Sequence, residues 1–294
     1  VKRFTDKSEM KKMLADSDVN LPRYLTYSAS DYSSHDEALV AIEKQIGDYP
    51  MFYKPYDGYG AIDVGALHDE SELRSWLQSA NDRCYLIEEF LQGTMYHFDS
   101  LINQGEIILQ CGAEYAWPCD QFHLGHPIGS IILPFDSDIY QRLKALNEDI
   151  ISVMSPDNCA THMECFRLSE DRLVFVEIAA RAPGGRIVDL YQRQWKINLA
   201  LMHLQSQLDI LPTIKLAHSE KYYAWAYIPI LPGEVEKLDL PHFSSRINME
   251  WFIKPGDKFP GAFFNRSQLS FSKKYIAGTI VINNESYDDL VADF

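Results

Sequence analysis

Hydrophobic and polar positions change period several times along this chain. Residues 6 to 16 (DKSEMKKMLAD) put Met10, Met13 and Leu14 on one face, the pattern of a helix. HDEALVAIEKQIG, residues 35 to 47, repeats that pattern after a turn at Pro22. YPMFYKP (49 to 55) reads as a buried strand ending at Pro55, DGYG (57 to 60) as a flexible turn, AIDVGAL as a strand and ESELRSWLQSA as a helix. CYLIEEFL (84 to 91) is strand-like, and MYHFDSLIN with EIILQCGA form a hairpin across Gln104-Gly105. Residues 114 to 135 are aromatic-rich and irregular, 137 to 153 helical, and 187 to 208 read as one long helix ending before Pro212. From 213 onward the pattern is β-rich, with YYAWAYIPIL and YIAGTIVIN as its clearest strands. Local alternation of helices and strands, with most strands linked as hairpins, gives an α+β class with mainly antiparallel sheets.

One hairpin carries more than folding information. Glu164 lies in HMECFRL and Glu177 in LVFVEIAARAPGGR, separated by the polar turn SEDR. If Leu168 faces Leu173, then Phe166 faces Phe175, Glu164 faces Glu177 and His162 faces Ala179, all on one side of the sheet. Opposed carboxylates repel at that distance. A divalent cation converts the repulsion into binding, since Mg²⁺ takes one or two carboxylates with phosphate oxygens. A different register, or one glutamate turned away, would remove the pair.

Composition narrows the chemistry. The 294 residues carry a net charge of −15, which argues against nucleic acid as a general partner. ATP remains compatible if positive groups converge locally. No apolar run approaches the roughly 20 residues of a membrane span, and no signal-peptide pattern opens the chain, so cytoplasm is the expected location. Position 1 is Val rather than Met, so an amino-terminal segment is expected to be missing. The five cysteines, Cys84, Cys111, Cys119, Cys159 and Cys165, are odd in number and without CxxC, which fits reduced thiols. Cys159, His162 and Cys165 lack a fourth ligand for zinc.

Other candidates are read with their ordinary alternatives. Lys54, at the end of an apolar strand before a glycine turn, either meets an anion or snorkels to water. One of the neighbouring Glu88 and Glu89 must face inward and needs a donor: adenine, ribose or a core arginine. Arg181, four residues after Glu177, suits a carboxylate or acyl phosphate through bidentate donation, and Arg186 follows Gly184 and Gly185, which can expose backbone donors. A surface loop with solvated arginines is the alternative. His162 is either a structurally satisfied histidine or a phosphate or substrate contact.

Taken in order, DK at 6 and 7, YKPYDGYG at 53 to 60, IEEFLQG at 87 to 93, Glu164 and VEIAARAPGG at 176 to 185 resemble the ATP-grasp superfamily, in particular carboxylate–amine ligases of the amino-acid ligase type. The resemblance covers roughly residues 1 to 210, and the β-rich tail is similar to that of such ligases. It implies an ATP-grasp fold: two α+β subdomains gripping ATP between mainly antiparallel sheets, with a β-rich C-terminal region. The implied layout is a connecting helix and linker over 1–34, a small subdomain over 35–92, a large one over 93–211 and the tail over 212–294. It also implies that Lys7 and Lys54 contact phosphates and that the loop with Gly58 and Gly60 closes over them. Glu88, Glu89, Phe90 and Leu91 would form the adenine hinge. Glu164 and Glu177 would hold Mg²⁺ (or Mn²⁺), and Arg181 would orient the carboxylate. Tyr115, Trp117 and His126 are acceptor-pocket candidates. Met95 stands where the family often has a ribose carboxylate, and Ala179 where it often has an amide ligand. The implied reaction joins small-molecule carboxylate and amine substrates through an acyl phosphate. A nucleotide-binding regulatory module without turnover, or a biotin carboxylase-like or purine-biosynthetic enzyme, are the other readings, and a homodimer is left open.

Overall fold

The computed structural model describes residues 2–80, 83–215, 219–261 and 273–294. Two antiparallel sheets organise them. The first has four strands, β1 (Tyr24–Tyr27), β2 (Met51–Pro55), β3 (Gly65–Leu67) and β4 (Tyr85–Glu89), in the order β1-β4-β2-β3. Strand alternation divides its faces. Met51, Tyr53, Tyr85 and Ile87 pack under helices α2 (His35–Ile46) and α3 (Glu70–Ser79) around Trp76. Phe52, Lys54 and Glu88 take the opposite face and look into a cleft. Both helices start on a side-chain cap, Ser34 for α2 and Asp69 for α3.

The second sheet has eight strands. The central ones are β5 (Gly93–Asn103), β6 (Glu106–Tyr115), β7 (Ile128–Ile132), β8 (Cys159–Leu168) and β9 (Leu173–Ala179). From the tail, β10 (Tyr222–Pro229), β12 (Arg246–Trp251) and β14 (Ile276–Asn284) extend the same sheet through the β7–β10 pairing, giving the order β12-β14-β10-β7-β6-β5-β8-β9. β11 (Gly233–Glu234) and β13 (Lys258–Phe259) form a separate ribbon. One face of the large sheet buries Phe98, Met163, Phe175 and Ile178 beneath α1 (Lys7–Leu14) and α4 (Asp138–Met154). The other is divided. Part is a dry core with Leu101, Ile132 and Trp225 under α5 (Ile187–Trp195) and α6 (Leu199–Gln207), and the rest opens to the cleft. The single helix expected over 187–208 is therefore two, broken where Lys196 takes φ 62°. The strand expected over AIDVGAL shrinks to Gly65–Leu67, because Ala61 (φ 54°) and Asp63 (φ 59°) are left-handed and cannot join a ladder. A final helix, α7 (Tyr287–Asp293), closes the chain.

The β8–β9 register corrects one expectation and keeps another. Glu164 faces Glu177 and His162 faces Ala179, but Phe166 pairs with Val174, not Phe175. The turn is shorter by one residue than SEDR. Leu168 N–H donates to Arg172 O at 2.9 Å, with Asp171 left-handed at φ 64°. The resulting offset is absorbed by a β-bulge at Val176, the extra residue between the pairs Cys165–Phe175 and Glu164–Glu177. The bulge sends Phe175 into the core and places Val176 beside Glu177 on the cleft.

Candidate nucleotide and substrate cleft

A cavity of about 260 Å³ lies between the two sheets. It is lined by Lys7, Lys54, Gly58, Gly60, Glu88, Glu89, Phe90, Leu91, Met95, Tyr115, His162, Glu164, Glu177, Arg181, Gly184 and Gly185, sixteen of the residues singled out above. Three others are elsewhere. Trp117 and His126 stack on each other at 4.1 Å away from the lining. Arg186 caps α5, where it pairs with Asp189 at 2.5 Å and reaches Thr279 at 3.5 Å.

Charges in the cleft are arranged as a ladder. On the small sheet, Glu88 is 4% exposed and sits between two lysines: Lys54 at 2.7 Å on one oxygen and Lys11 at 2.7 Å on the other. Within the protein, the donors to Glu88 are two ammonium groups in place of a core arginine. Lys11, on α1, is completely buried between the rings of Tyr24 and Phe175 at 5.7 and 5.8 Å. Its contact with Glu88 is a close ion pair without well-directed hydrogen-bond geometry. Burial takes the Lys11 ammonium down to about 8, against the pull of Glu88. Burial also opposes ionisation of Glu88, yet the two lysines hold it below the usual carboxylate range. Lys54 stays above its ordinary value because Glu88, with Glu177 and Glu164 beyond it, outweighs its burial. Glu89 points the other way, onto Arg23 at 2.7 Å. Its backbone N–H goes to Arg23 O and that of Phe90 to Pro50 O, which fixes the segment leading to Leu91.

On the large sheet, the row His97–Glu164–Glu177 crosses β5, β8 and β9, and the row Asp99–His162–Ala179 lies behind it. Glu164 accepts from the Tyr115 hydroxyl at 2.9 Å and approaches His162 Nε2 at 3.5 Å. His162 Nδ1 meets Asp99 at 2.6 Å, and Asp99 also takes His97 at 2.9 Å and the Tyr191 hydroxyl at 2.5 Å. The chain continues from His97 to Ser130 at 3.1 Å, and the Trp225 indole N–H donates to the same hydroxyl at 3.0 Å. Burial resists charge on His162, but Asp99 raises it to about 9, so the imidazolium can donate to both carboxylates. Burial notwithstanding, His162 and His97 hold Asp99 far below the usual range. Glu164 is likewise lowered, by His162 and Tyr115 against its own burial. His97, Asp99 and His162 form a compact buried group of metal-ligand types, but their polar atoms are committed to one another.

Lys7 joins the two halves. Its ammonium lies 3.1 Å from Glu177 and donates to Gly58 O at 2.6 Å, inside the loop that follows β2. That loop is tied at two further points, Tyr85 hydroxyl to Asp63 at 2.7 Å and His123 Nε2 to Ala61 O at 2.6 Å. The sequence reading had not singled out Lys11, His97, Asp99 or His123. Only His97 and Asp99 left a signal, as two polar residues of equal parity inside the apolar run MYHFDSLIN.

Glu164 and Glu177 suit a hard divalent cation. Both are carboxylates on one row, with side chains 14% and 26% exposed at the cleft. Cys119, 3.9 Å from Glu164, is a thiol that burial pushes up.

No family model matches the chain. Among curated proteins, it is 23% identical over 212 residues to an L-arginine-specific L-amino acid ligase of Bacillus subtilis, covering 69% of this chain and 51% of that protein. It is 22% identical over 226 residues to a D-alanine–D-alanine ligase of Staphylococcus carnosus, covering 74% and 62%. The chain thus spans about half to two thirds of the length of these relatives. Among solved structures, an L-amino acid ligase from Bacillus licheniformis superposes with a TM-score of 0.68 at 16% identity, over 99% of this chain and 69% of that one. A carboxyaminoimidazole ribonucleotide synthase from Aspergillus clavatus, complexed with ATP, gives 0.70 at 15% identity, over 99% and 71%. The chain has the ATP-grasp fold, and the sequence relatives named above are an L-amino acid ligase and a D-alanine–D-alanine ligase.

Proposed function

We propose that this chain catalyses ATP-dependent joining of a carboxylate to an amine through an acyl phosphate, releasing ADP and phosphate. The observation that carries the reading is the opposed pair Glu164–Glu177 in one cleft with Lys7 and Lys54. In this reading the adenine lies against the segment Glu88–Leu91, between apolar groups such as Phe52 and Met95. Lys54 and Lys7 receive the phosphates, and the loop with Gly58 and Gly60 covers them. Lys7 then exchanges its Glu177 contact for a phosphate oxygen, which frees that carboxylate as a ligand. Glu164 is held ready by Tyr115 and His162. Together the two glutamates would hold Mg²⁺, which offsets phosphate charge during transfer. Arg181, exposed at the cleft edge, orients the substrate carboxylate so that its oxygen attacks the γ-phosphorus and ADP leaves. The amine then displaces phosphate from the acyl carbon. The protein contributes positioning and fixed charge.

The test is Glu177→Ala assayed for ADP release driven by a carboxylate and an amine. Loss of turnover with an unchanged circular dichroism spectrum and melting temperature supports the assignment. Turnover equal to the parent protein overturns it. Retained ATP binding in the parent protein, with no ADP release for any acid, would instead favour a regulatory nucleotide-binding module.

A further inference from the structure

The two ring nitrogens of His162 are used differently. Nδ1 lies 2.6 Å from Asp99, and Asp99 is completely buried and further held by His97 at 2.9 Å and the Tyr191 hydroxyl at 2.5 Å. A carboxylate on Nδ1 fixes that nitrogen as the donor, so the ring is oriented and the lone pair of its neutral form falls on Nε2. Nε2 lies on the side of Glu164, whose Oε1 is 3.5 Å away. That separation exceeds an ordinary N–H···O bond. It matches two atoms bound to one ion: ligands about 2.1 Å from a metal lie about 3.0 Å apart at a right angle and about 3.4 Å apart at a tetrahedral one. His162 is 6% exposed and lines the cavity, and ligation takes only one lone pair at its surface, not a free face of the ring. The three groups are neighbours by register. Glu164 faces Glu177 across β8 and β9, and His162 is two residues from Glu164 on the same side of β8. Opposite His162 stands Ala179, which carries no ligand atom. The Tyr115 hydroxyl holds Glu164 Oε1 at 2.9 Å, so oxygen and nitrogen are both fixed before an ion arrives.

Resting on the metal assignment proposed above for Glu164 and Glu177, we infer that His162 Nε2 is a third protein ligand of the same divalent cation, and that the site prefers a first-row transition ion such as Mn²⁺ to Mg²⁺. Two carboxylates alone suit Mg²⁺, a hard ion served by oxygen, whereas an imidazole adds a nitrogen that favours the transition ions. Asp99 is then a positioning residue, the carboxylate behind the histidine that fixes its tautomer and strengthens it as a ligand. His97 and Ser130 carry that support further into the sheet, at 2.9 and 3.1 Å. This gives the buried network a task that the nucleotide phosphates do not require of it. On binding, the ion takes the place of the Nε2 proton, which leaves to solvent.

The experiment loads the full chain, labelled with ¹⁵N-histidine, with Mn²⁺ and ADP and reads it by pulsed EPR. The expected result is the hyperfine coupling of a directly bound histidine nitrogen, lost in His162→Gln. Mn²⁺ affinity, followed through the free-ion EPR signal, should fall about tenfold or more in His162→Gln and about tenfold in Asp99→Asn. Mg²⁺ affinity, measured by competition, should change less than about threefold in His162→Gln, because the amide oxygen is a hard ligand. Circular dichroism and melting temperature are recorded for each variant, and the coupling in the parent protein needs no variant at all. Mn²⁺ bound in a Glu177-dependent way without histidine coupling overturns the inference and leaves the two-glutamate assignment standing. Coupling that survives in His162→Gln places the nitrogen on another residue and overturns it as well. Equal affinities for Mn²⁺ and Mg²⁺ in the parent protein overturn the metal preference. Mn²⁺ affinity untouched by Glu177→Ala removes the two-glutamate assignment and this inference with it.

Discussion

Lys11 offers the sharpest test of how the cleft is built. It is wholly buried, and its ammonium lies 2.7 Å from Glu88, whose other oxygen meets Lys54 at the same distance. Lys11→Met keeps most of the side-chain volume and the packing against Tyr24 and Phe175, but removes the charge. The buried Glu88 is then left with one lysine instead of two. Removing one partner of a buried ion pair costs roughly 3–5 kcal/mol. Because Lys54 remains, the low end applies, about 3 kcal/mol. For a chain of this size each kcal/mol corresponds to roughly 2–4 °C, so the melting temperature should fall by about 6–12 °C. Urea unfolding monitored by circular dichroism supplies the free energy, and calorimetry the temperature. A double-mutant cycle isolates the pair: with Glu88→Gln added, the losses should combine less than additively, by about 1–3 kcal/mol. A single-variant loss below about 1 kcal/mol, or strictly additive losses, would refute the claim that Glu88 needs both lysines.

Three further outcomes follow from other contacts. Asp99 holds the His162 imidazolium up to about 9 against a usual 6.5. A raised histidine contributes stability that is complete below pH 6.5 and disappears as the pH climbs through about 9. In Asp99→Asn, NMR titration should find His162 at least one unit lower, and a value still near 9 would exclude the aspartate as cause. His123→Ala removes the bond to Ala61 O, worth about 1 kcal/mol net, so proteolysis or hydrogen exchange in the loop 56–64 should speed up roughly fivefold. Unchanged exchange there would show that the contact does not hold the loop. Gly185→Ala combines a left-handed residue with a clash against Trp225. Strain and overpacking together should cost about 2–4 kcal/mol, read by denaturant unfolding with tryptophan fluorescence, and an unaffected midpoint would count against it.

Sequence pattern reached the local features and stopped at the long-range ones. The expected pairing of Glu164 with Glu177 holds because two departures cancel: the turn is one residue shorter than SEDR, and the bulge at Val176 restores the offset. Strand alternation could not place Phe166, since the left-handed Asp171 shortens the turn and nothing in SEDR announces this. The break between α5 and α6 escaped for a similar reason. Lys196 is an unremarkable residue that adopts a left-handed conformation, and α6 has apolar residues on all sides, so the pattern runs on. Lys11 was hidden in a charged helical segment where a lysine ordinarily faces water. Its partner is 77 positions away, and only the packing of α1 against both sheets makes it internal. The strands after 213 were recognised as strands, but their continuation of the large sheet depends on pairing with β7, which composition does not encode.

The bulge at Val176 separates two jobs within one hairpin. On the turn side of it, the pairing is dictated by the geometry of residues 168–172. On the cleft side, Glu177 and Ala179 keep their alignment with Glu164 and His162 whatever the turn requires. The hairpin tip is thereby mechanically uncoupled from the carboxylates. Residues 169–171, exposed and outside the cavity lining, form a site where the chain can vary in length or carry an insertion while the separation of the two glutamates is preserved.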